Sequence, residues 1–508
     1  MKLGDLLTVM GLNMIIPPVR LEQDVKEIVY DSRKVTPGSL FVAIRGFRLD
    51  GHEFIGQAVN KGAIAIIAER DGIVEEGIPV EVIRVPDSRV ALARIAAAYY
   101  RNPSQKLKLI GITGTKGKTT TSYLVKSIIE AAGHKSGLIG TIDHRVVDKV
   151  YPALNTTPES LDIQKLLREM VDAGCGYCVM EVSSHSLALG RTTDCVFETA
   201  VFTNLKQDHL DFHHDMKSYF HAKLRLFTGL ASDKAVVVNT DEPRSQDIIL
   251  QTNAMVMTFG MSEQSDIHPM AAIGQNINGL SFSVCTPQGV LSVNSSLVGK
   301  YNVYNILAAI GVGVSLGFNL KNIAQGIEIM KAVPGRMEKV DQGQQFGVVV
   351  DYAHTEDSLR QLLDAVREMA RGMVITLFGC GGDRDKSKRP KMGAVAIESS
   401  DVCIVTSDNP RSEDPLAIIN EIETGMTALG RKIEAGEAFP VAVSGRKPYY
   451  IIPDRREAIS VAIRMAQPGD VVVLAGKGHE DYQIIGERRV HFDDREIARE
   501  EILKRQAK

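Results

Sequence analysis

Lys118 and Thr119 stand near the end of the run Thr113-Gly114-Thr115-Lys116-Gly117-Lys118-Thr119-Thr120, in which two glycines precede a Lys-Thr pair. Loops of this kind turn backbone N–H groups toward phosphate oxygens; the lysine reaches the terminal phosphates and the hydroxyl sits on Mg²⁺. The strict spacing G-x-x-x-x-G-K-[ST] is not met, because Ile112 stands where its first glycine would be. Further on come three more groups able to do chemistry. Glu181 opens Glu181-Val182-Ser183-Ser184-His185, His209 lies in the His/Asp-rich run Asp208 to Asp215, and Lys223 sits on a mostly apolar stretch. A carboxylate suits Mg²⁺, whereas the His/Asp run lacks tetrahedral zinc spacing. His209 is expected to face the site and the other histidines of the run to be solvated. A lysine on an apolar helix face ordinarily snorkels to water; buried, it has another use.

These residues need a scaffold, and the hydrophobic pattern supplies one. Leu107 to Ile112 reads as a buried strand running into the glycine loop, and a helix is expected from Thr121 to Ala132. Strand Tyr177 to Val182 delivers Glu181, and strand Thr199 to Asn204 leads to His209. Helix Tyr219 to Phe227 carries Lys223. Alternating strands and helices argue for a mostly parallel sheet, with ligands beyond its carboxyl edge. A strand-rich insertion follows, to about Leu297, and Gly299 to Asn305 opens a helix through Val314. A second alternation starts near Arg336. Four of its strands end in polar motifs: Asp351-Tyr352-Ala353-His354, Gly381-Gly382-Asp383-Arg384-Asp385, Ser407-Asp408-Asn409-Pro410-Arg411 and Gly476-Lys477-Gly478-His479-Glu480. Before all this, Met1 to about Asn102 reads as a small mixed α/β region, with Gly46 to His52 as a polar loop. The expected class is α/β with three domains: 1–102, a central phosphate-loop parallel-sheet domain 103–333, and a Rossmann-like domain 334–508.

Composition agrees with that division. The chain has 508 residues, too many for a single core. Its 44% hydrophobic and 24% charged residues are those of an ordinary soluble protein. A net charge of −3 offers no basic field for nucleic acid. The N-terminus carries Asp5 early and no sustained apolar run, so no signal peptide or membrane span is expected, and a cytoplasmic protein is. Cys175-x-x-Cys178 has no second pair at zinc-ribbon spacing, and buried free thiols are expected.

The motifs together, with Asn155-Thr156-Thr157-Pro158 between the loop and Glu181, resemble the Mur ligases across all three domains. The resemblance implies an ATP-dependent ligase of peptidoglycan synthesis that adds meso-diaminopimelate to UDP-N-acetylmuramoyl-L-alanyl-D-glutamate through an acyl phosphate. It implies Tyr30, Ser32 and Arg33 near the uridine nucleotide, and Asn155, Thr156, Thr157, Ser183 and Arg191 on the muramoyl-peptide. ATP would take Gly114 to Thr120 with Asn302, Arg336 and Asp351. Mg²⁺ would take Thr119, Glu181, His209 and a carbamylated Lys223; Lys118, Glu181, His209 and Lys223 would be catalytic. Arg384, Asp408, Asn409, Pro410, Arg411, Gly476 and Glu480 would form the diaminopimelate pocket. An arginine fork suits the distal carboxylate of diaminopimelate and repels the ammonium of L-lysine. The expected partners are these small molecules, with neither nucleic acid nor membrane insertion, and the expected state is a monomer.

The chain departs from the family pattern at Lys116, where asparagine is common, at Glu356, where proline is usual, and at Leu189, where some relatives carry glutamine. The alternatives are a relative adding D-Ala-D-Ala, a folylpolyglutamate synthetase, an L-lysine-adding relative, or a non-catalytic nucleotide sensor. Arg411 and the run Gly476 to Glu480 argue against the first three. The joint presence of Lys118, Thr119, Glu181, His209 and Lys223 argues against the last.

Overall fold

The computed structural model describes residues 1–11, 18–46, 49–70, 80–276, 279–433 and 446–507. Residues 47 and 48 of the expected polar loop lie outside them. The chain forms two compact units: one holds 1–269, 284–291 and 304–326, the other 270–283, 292–303 and 327–508.

Two sheets lie wholly within the first unit. Strands Glu27–Val29, Ser39–Val42, Ala65–Ala68 and Glu81–Arg84 pair in chain order, all parallel. Alternate residues divide between two cores: Leu40 and Val42 face one, Phe41 and Ala43 the other. The larger sheet has eight strands. From one edge they are Met255–Phe259, Ala235–Asn239, Phe197–Phe202, Lys108–Thr113, Tyr177–Glu181 and Ser136–Ile139, all parallel, then the antiparallel pair Asp143–Val146 and Lys149–Pro152. The glycine loop therefore leaves a central strand, flanked by the strands that end at Glu181 and Phe202. Their carboxyl ends share one edge, because all three run the same way.

The second unit is built on seven strands in the order Glu338–Lys339, Gly347–Asp351, Val471–Ala475, Val374–Phe378, Val402–Val405, Lys447–Ile451 and Gly430–Lys432; all pairs are parallel except the first. Both faces are covered, so the strands are apolar throughout. Val472 and Leu474 pack with helices Arg455–Met465 and Asp494–Gln506, while Val471 and Val473 pack with Glu356–Met369 and Lys388–Ser399. The four strands that end in polar motifs are neighbours, so Asp351, Gly476, Gly379 and Thr406 open on one edge. A hairpin, Tyr482–Ile485 with Arg488–His491, continues from the Gly476 motif.

Candidate functional site

In the first unit, Gly114 and Gly117 make the loop possible. Gly114 has φ +151° and a Cβ there would fall 1.9 Å from Thr203 Oγ1; Gly117 has φ +85° and a Cβ would fall 2.4 Å from Asn305 Oδ1. Only glycine tolerates both the conformation and the approach. Thr203 Oγ1 and Asn204 Nδ2 donate to the Lys116 carbonyl at 2.7 and 3.1 Å, and Asn204 Oδ1 accepts from the Lys116 N–H at 2.9 Å. The loop is thus braced by the strand beside it. Helix Lys118–Ala131 follows at once, beginning three residues earlier than expected. Lys118 Nζ donates to the carbonyls of Gly114 and Thr115 at 2.8 and 2.9 Å.

Glu181 is fully buried at its strand end, and its carboxylate is surrounded by donors. Oε2 accepts from Thr119 Oγ1 at 2.9 Å and Thr141 Oγ1 at 2.8 Å; Oε1 accepts from the Thr141 N–H at 2.9 Å. Thr157 Oγ1 donates to the Glu181 carbonyl at 2.8 Å and accepts from the Ser183 N–H at 3.0 Å. Thr141 Oγ1 reaches Thr156 Oγ1 at 3.1 Å, and Arg191 Nη1 donates to the Thr157 carbonyl at 3.0 Å. Asn155 is exposed beside them. Thr119, Glu181, Thr156, Thr157, Ser183 and Arg191 therefore form one connected network. Thr141, absent from the sequence reading, links Glu181 to Thr156. Its only sequence signal was its place just past the strand ending at Ile139.

Lys223 is not solvated. It is 1% exposed, its Nζ donates to the Gly114 carbonyl at 2.9 Å, and it lies 4.6 Å from the centroid of the Tyr219 ring. Burial first, and then the Lys118 ammonium, hold its amine well below the usual lysine range. His209 has its ring 6.2 Å from Tyr219 and 4.8 Å from His185. The expectation that the other histidines of the run are solvated fails at His213. It is 5% exposed and packs 5.1 Å from Tyr219, because helix Met216–Thr228 folds back over it. His209 itself is exposed, and partial desolvation lowers its pKa; burial lowers that of His213, and that of His185 to about 4.

The donor set can be tested against Mg²⁺. Thr119, Thr141 and Glu181 present hard oxygens, which that ion prefers. An ammonium at Lys223 would repel a metal; a carbamate there would suit one. The glycine cradle at a helix N-terminus suits a polyphosphate.

Tyr30 Oη donates to Asp162 Oδ2 at 2.6 Å, and burial, then Asp162, raise its pKa. Ser32 Oγ donates to Gln57 Oε1 at 2.7 Å, and Arg33 pairs with Asp31 at 2.8 Å on the surface. Glu159 ties Arg89 of the small-sheet region to Arg191, at 2.6 and 3.3 Å.

The remaining expected residues belong to the second unit. Asp351 accepts from the N–H groups of Met337 and Ala353 at 2.7 and 2.8 Å, Asn302 Nδ2 donates to the Val298 carbonyl at 2.7 Å, and the Arg336 guanidinium lies 5.0 Å from the Tyr352 ring centroid. Asp408, Asn409, Pro410, Arg411, Gly476 and Glu480 come together with Lys477. Asn409 Nδ2 donates to Glu480 Oε2 at 2.8 Å, and Asn409 Oδ1 accepts from the Ile484 N–H at 2.9 Å. Lys477, fully buried, lies 3.4 Å from Glu480 and 3.8 Å from Asp408. Burial and Asp408 raise the pKa of Glu480, and Lys477 opposes them. Arg411 Nη1 donates to the Gly382 carbonyl at 2.8 Å, while Arg384 is exposed and donates to its neighbour's carbonyl at 3.0 Å. The cluster thus combines acidic groups, Asp408 and Glu480, with the basic Lys477 and Arg411. Lys477 stood inside a quoted motif without being given a role.

Comparison with known proteins covers nearly the whole chain. Residues 24–100 match the profile of the Mur ligase family catalytic domain, 112–313 the Mur ligase middle domain, and 335–478 the Mur ligase glutamate ligase domain. A relative from Geobacillus thermodenitrificans, named UDP-N-acetylmuramoyl-L-alanyl-D-glutamate--2,6-diaminopimelate ligase, is 47% identical over 95% of this chain and 96% of its own. A relative of the same name from Geobacter metallireducens is 46% identical over 98% of this chain and 97% of its own. A solved structure with that name superposes with a TM-score of 0.71 at 31% identity, covering 100% of both chains.

Proposed function

This chain belongs to the Mur ligase family, and from that premise we propose that it joins meso-diaminopimelate to UDP-N-acetylmuramoyl-L-alanyl-D-glutamate at the expense of ATP. The observation that carries the reading is the 47% identity, over nearly the full length, to a relative bearing that name. The reading includes three domains, at 1–102, 103–333 and 334–508, and a monomer working in the cytoplasm. Among the described residues, no helix is long and apolar enough to cross a membrane.

In the proposed reaction the D-glutamate side-chain carboxylate attacks the γ-phosphorus of ATP, giving an acyl phosphate and ADP. The amine of diaminopimelate then attacks the acyl carbon, phosphate leaves with the C–O electron pair, and the amine gives up a proton. This chain's residues chiefly hold and neutralise anions. Lys118 and the N–H groups of Gly114 to Thr120 face the phosphates, with Asn302, Arg336 and Asp351 as further ATP contacts. Thr119, Glu181, His209 and carbamylated Lys223 would hold Mg²⁺, which supplies charge neutralisation at the transferred phosphoryl group. Tyr30, Ser32 and Arg33 hold the uridine end of the substrate; Asn155, Thr156, Thr157, Ser183 and Arg191 hold its peptide end. Arg384 and Arg411, with Asp408, Asn409, Pro410, Gly476 and Glu480, select the amino acid: the arginines take the distal carboxylate and Glu480 the distal ammonium.

Phosphate release with ATP, Mg²⁺ and the muramoyl-dipeptide tests this, with meso-diaminopimelate and L-lysine supplied separately. Turnover with diaminopimelate alone is the expected result. Preference for lysine would overturn the pocket assignment, and no release with either would overturn the ligase reading.

A further inference from the structure

Arg389 is wholly buried, and the reaction described above makes no use of it. From the first turn of helix Lys388–Ser399 its guanidinium forks onto Glu413, Nη2 to Oε1 at 2.9 Å and Nη1 to Oε2 at 3.0 Å. Nη2 also donates to the Gly381 carbonyl at 3.3 Å, and Glu413 Oε1 accepts from the Asp383 N–H at 2.6 Å. One ion pair, buried at its arginine end, therefore grips two loops, those following strands Val374–Phe378 and Val402–Val405. The loops also grip each other. Ser412 donates to Asp383 from its hydroxyl at 2.6 Å and its N–H at 3.2 Å, and the Gly382 N–H donates to the Asn409 carbonyl at 2.9 Å. Asp383 and Arg411 both sit at φ +53°, a left-handed conformation that persists in non-glycine residues where the surroundings over-determine it.

We propose that Arg389 and Glu413 are positioning residues that fix the spacing of Arg384 and Arg411 and thereby set the amino-acid specificity of the reaction. The inference rests on the function proposed above. Each loop carries one of the two arginines, and bidentate recognition of a carboxylate depends on where the forks stand. A purely structural arginine would serve all its partners alike. Here Glu421, on helix Pro415–Glu423, bonds the same guanidinium at 2.9 Å but lies outside both loops. It separates the two roles.

The experiment compares the full-length protein with Glu413→Gln, Glu421→Gln and Arg389→Lys, following phosphate release while meso-diaminopimelate and ATP are varied in turn. Glu413→Gln should raise KM for diaminopimelate about tenfold or more, leaving kcat within a few-fold and KM for ATP unchanged. Arg389→Lys, which keeps the charge and loses the fork, should do the same. Glu421→Gln should lower the melting temperature and leave KM alone. Hydrogen exchange at the Asp383 amide should quicken in Glu413→Gln and not in Glu421→Gln. The proposal is overturned if the two glutamate variants behave alike, or if Glu413→Gln leaves both KM and Asp383 exchange at the parent value. A parent protein that used L-lysine would sink the function proposed above, and the clamp would then stand or fall on KM for lysine in the same variants. With no turnover at all, Asp383 exchange alone decides it.

Discussion

A lysine amine enclosed beside a carbonyl and a second ammonium gains little from its own proton. That is the position of Lys223, where burial and Lys118 favour the neutral form, and a neutral amine is the form that can add CO₂. Lys223→Ala should abolish measurable ligation while the protein stays folded, and millimolar formate or acetate should restore part of the phosphate release. Failure of every short carboxylate to rescue would remove Lys223 from the metal set. Gly114 offers a second test. Its φ of +151° and the 1.9 Å approach to Thr203 Oγ1 leave no room for a methyl group, so Gly114→Ala should destabilise by roughly 1–3 kcal/mol in urea unfolding and weaken ADP binding. At this scale the motifs were legible because side-chain types and spacing carry chemistry. Burial was not. Nothing in Asp211-Phe212-His213-His214 says that the first histidine is enclosed and the second exposed, because helix Met216–Thr228 decides it by folding back. Thr141 was missed for the same reason: a lone threonine joins this network only when the strand end of Glu181 is brought beside it.

The strands that carry the motifs were legible as apolar runs. Gly347–Asp351 and Val471–Ala475 end where the motifs beginning at Asp351 and Gly476 place them, since parallel strands covered on both faces are hydrophobic at every position. The edge strands were not. Asp143–Val146 and Lys149–Pro152 are short and polar and end the sheet, so they show neither an apolar run nor a clean alternation. The loops between elements hold the electrostatics, and Glu413 gives these a measurable sign. Its hydrogen bonds from Arg389, then from the Asp383 N–H, lower its pKa from 4.5 to about 2. Between those values the unfolded chain binds the extra proton, so this group's contribution to stability is complete above pH 4.5 and is lost as pH falls toward 2. Melting temperatures taken across that window should fall with pH, and Glu413→Gln should flatten the slope. An unchanged slope would show that Glu413 titrates normally.

Across the whole molecule, the alternation of strands and helices gave the α/β class, and the polar strand ends marked one shared carboxyl edge of each large sheet. The long-range ion pairs were beyond reach. Arg455 and Asp494 lie in different helices, are both fully buried, and meet at 2.9 and 2.6 Å, while Arg455 also donates to the Ala475 carbonyl at 3.1 Å. Asp494→Asn leaves a buried charge without its partner and should cost about 3–5 kcal/mol in denaturant unfolding, whereas the double change Arg455→Met with Asp494→Leu should cost far less. Equal losses in the two variants would mean that packing, rather than charge, holds these helices. Elsewhere the main chains themselves touch: a methyl group on Gly382 would fall 1.9 Å from the Pro410 carbonyl, and one on Gly335 would fall 2.0 Å from the His479 nitrogen. Backbones this close allow no insertion or deletion on either side. On the proposed assignment, laboratory evolution of a new amino-acid preference would therefore be confined to exchanging side chains at positions such as Arg384, Asn409, Arg411 and Glu480. Libraries that vary loop length between 379 and 385 or between 406 and 414 should return almost nothing that works.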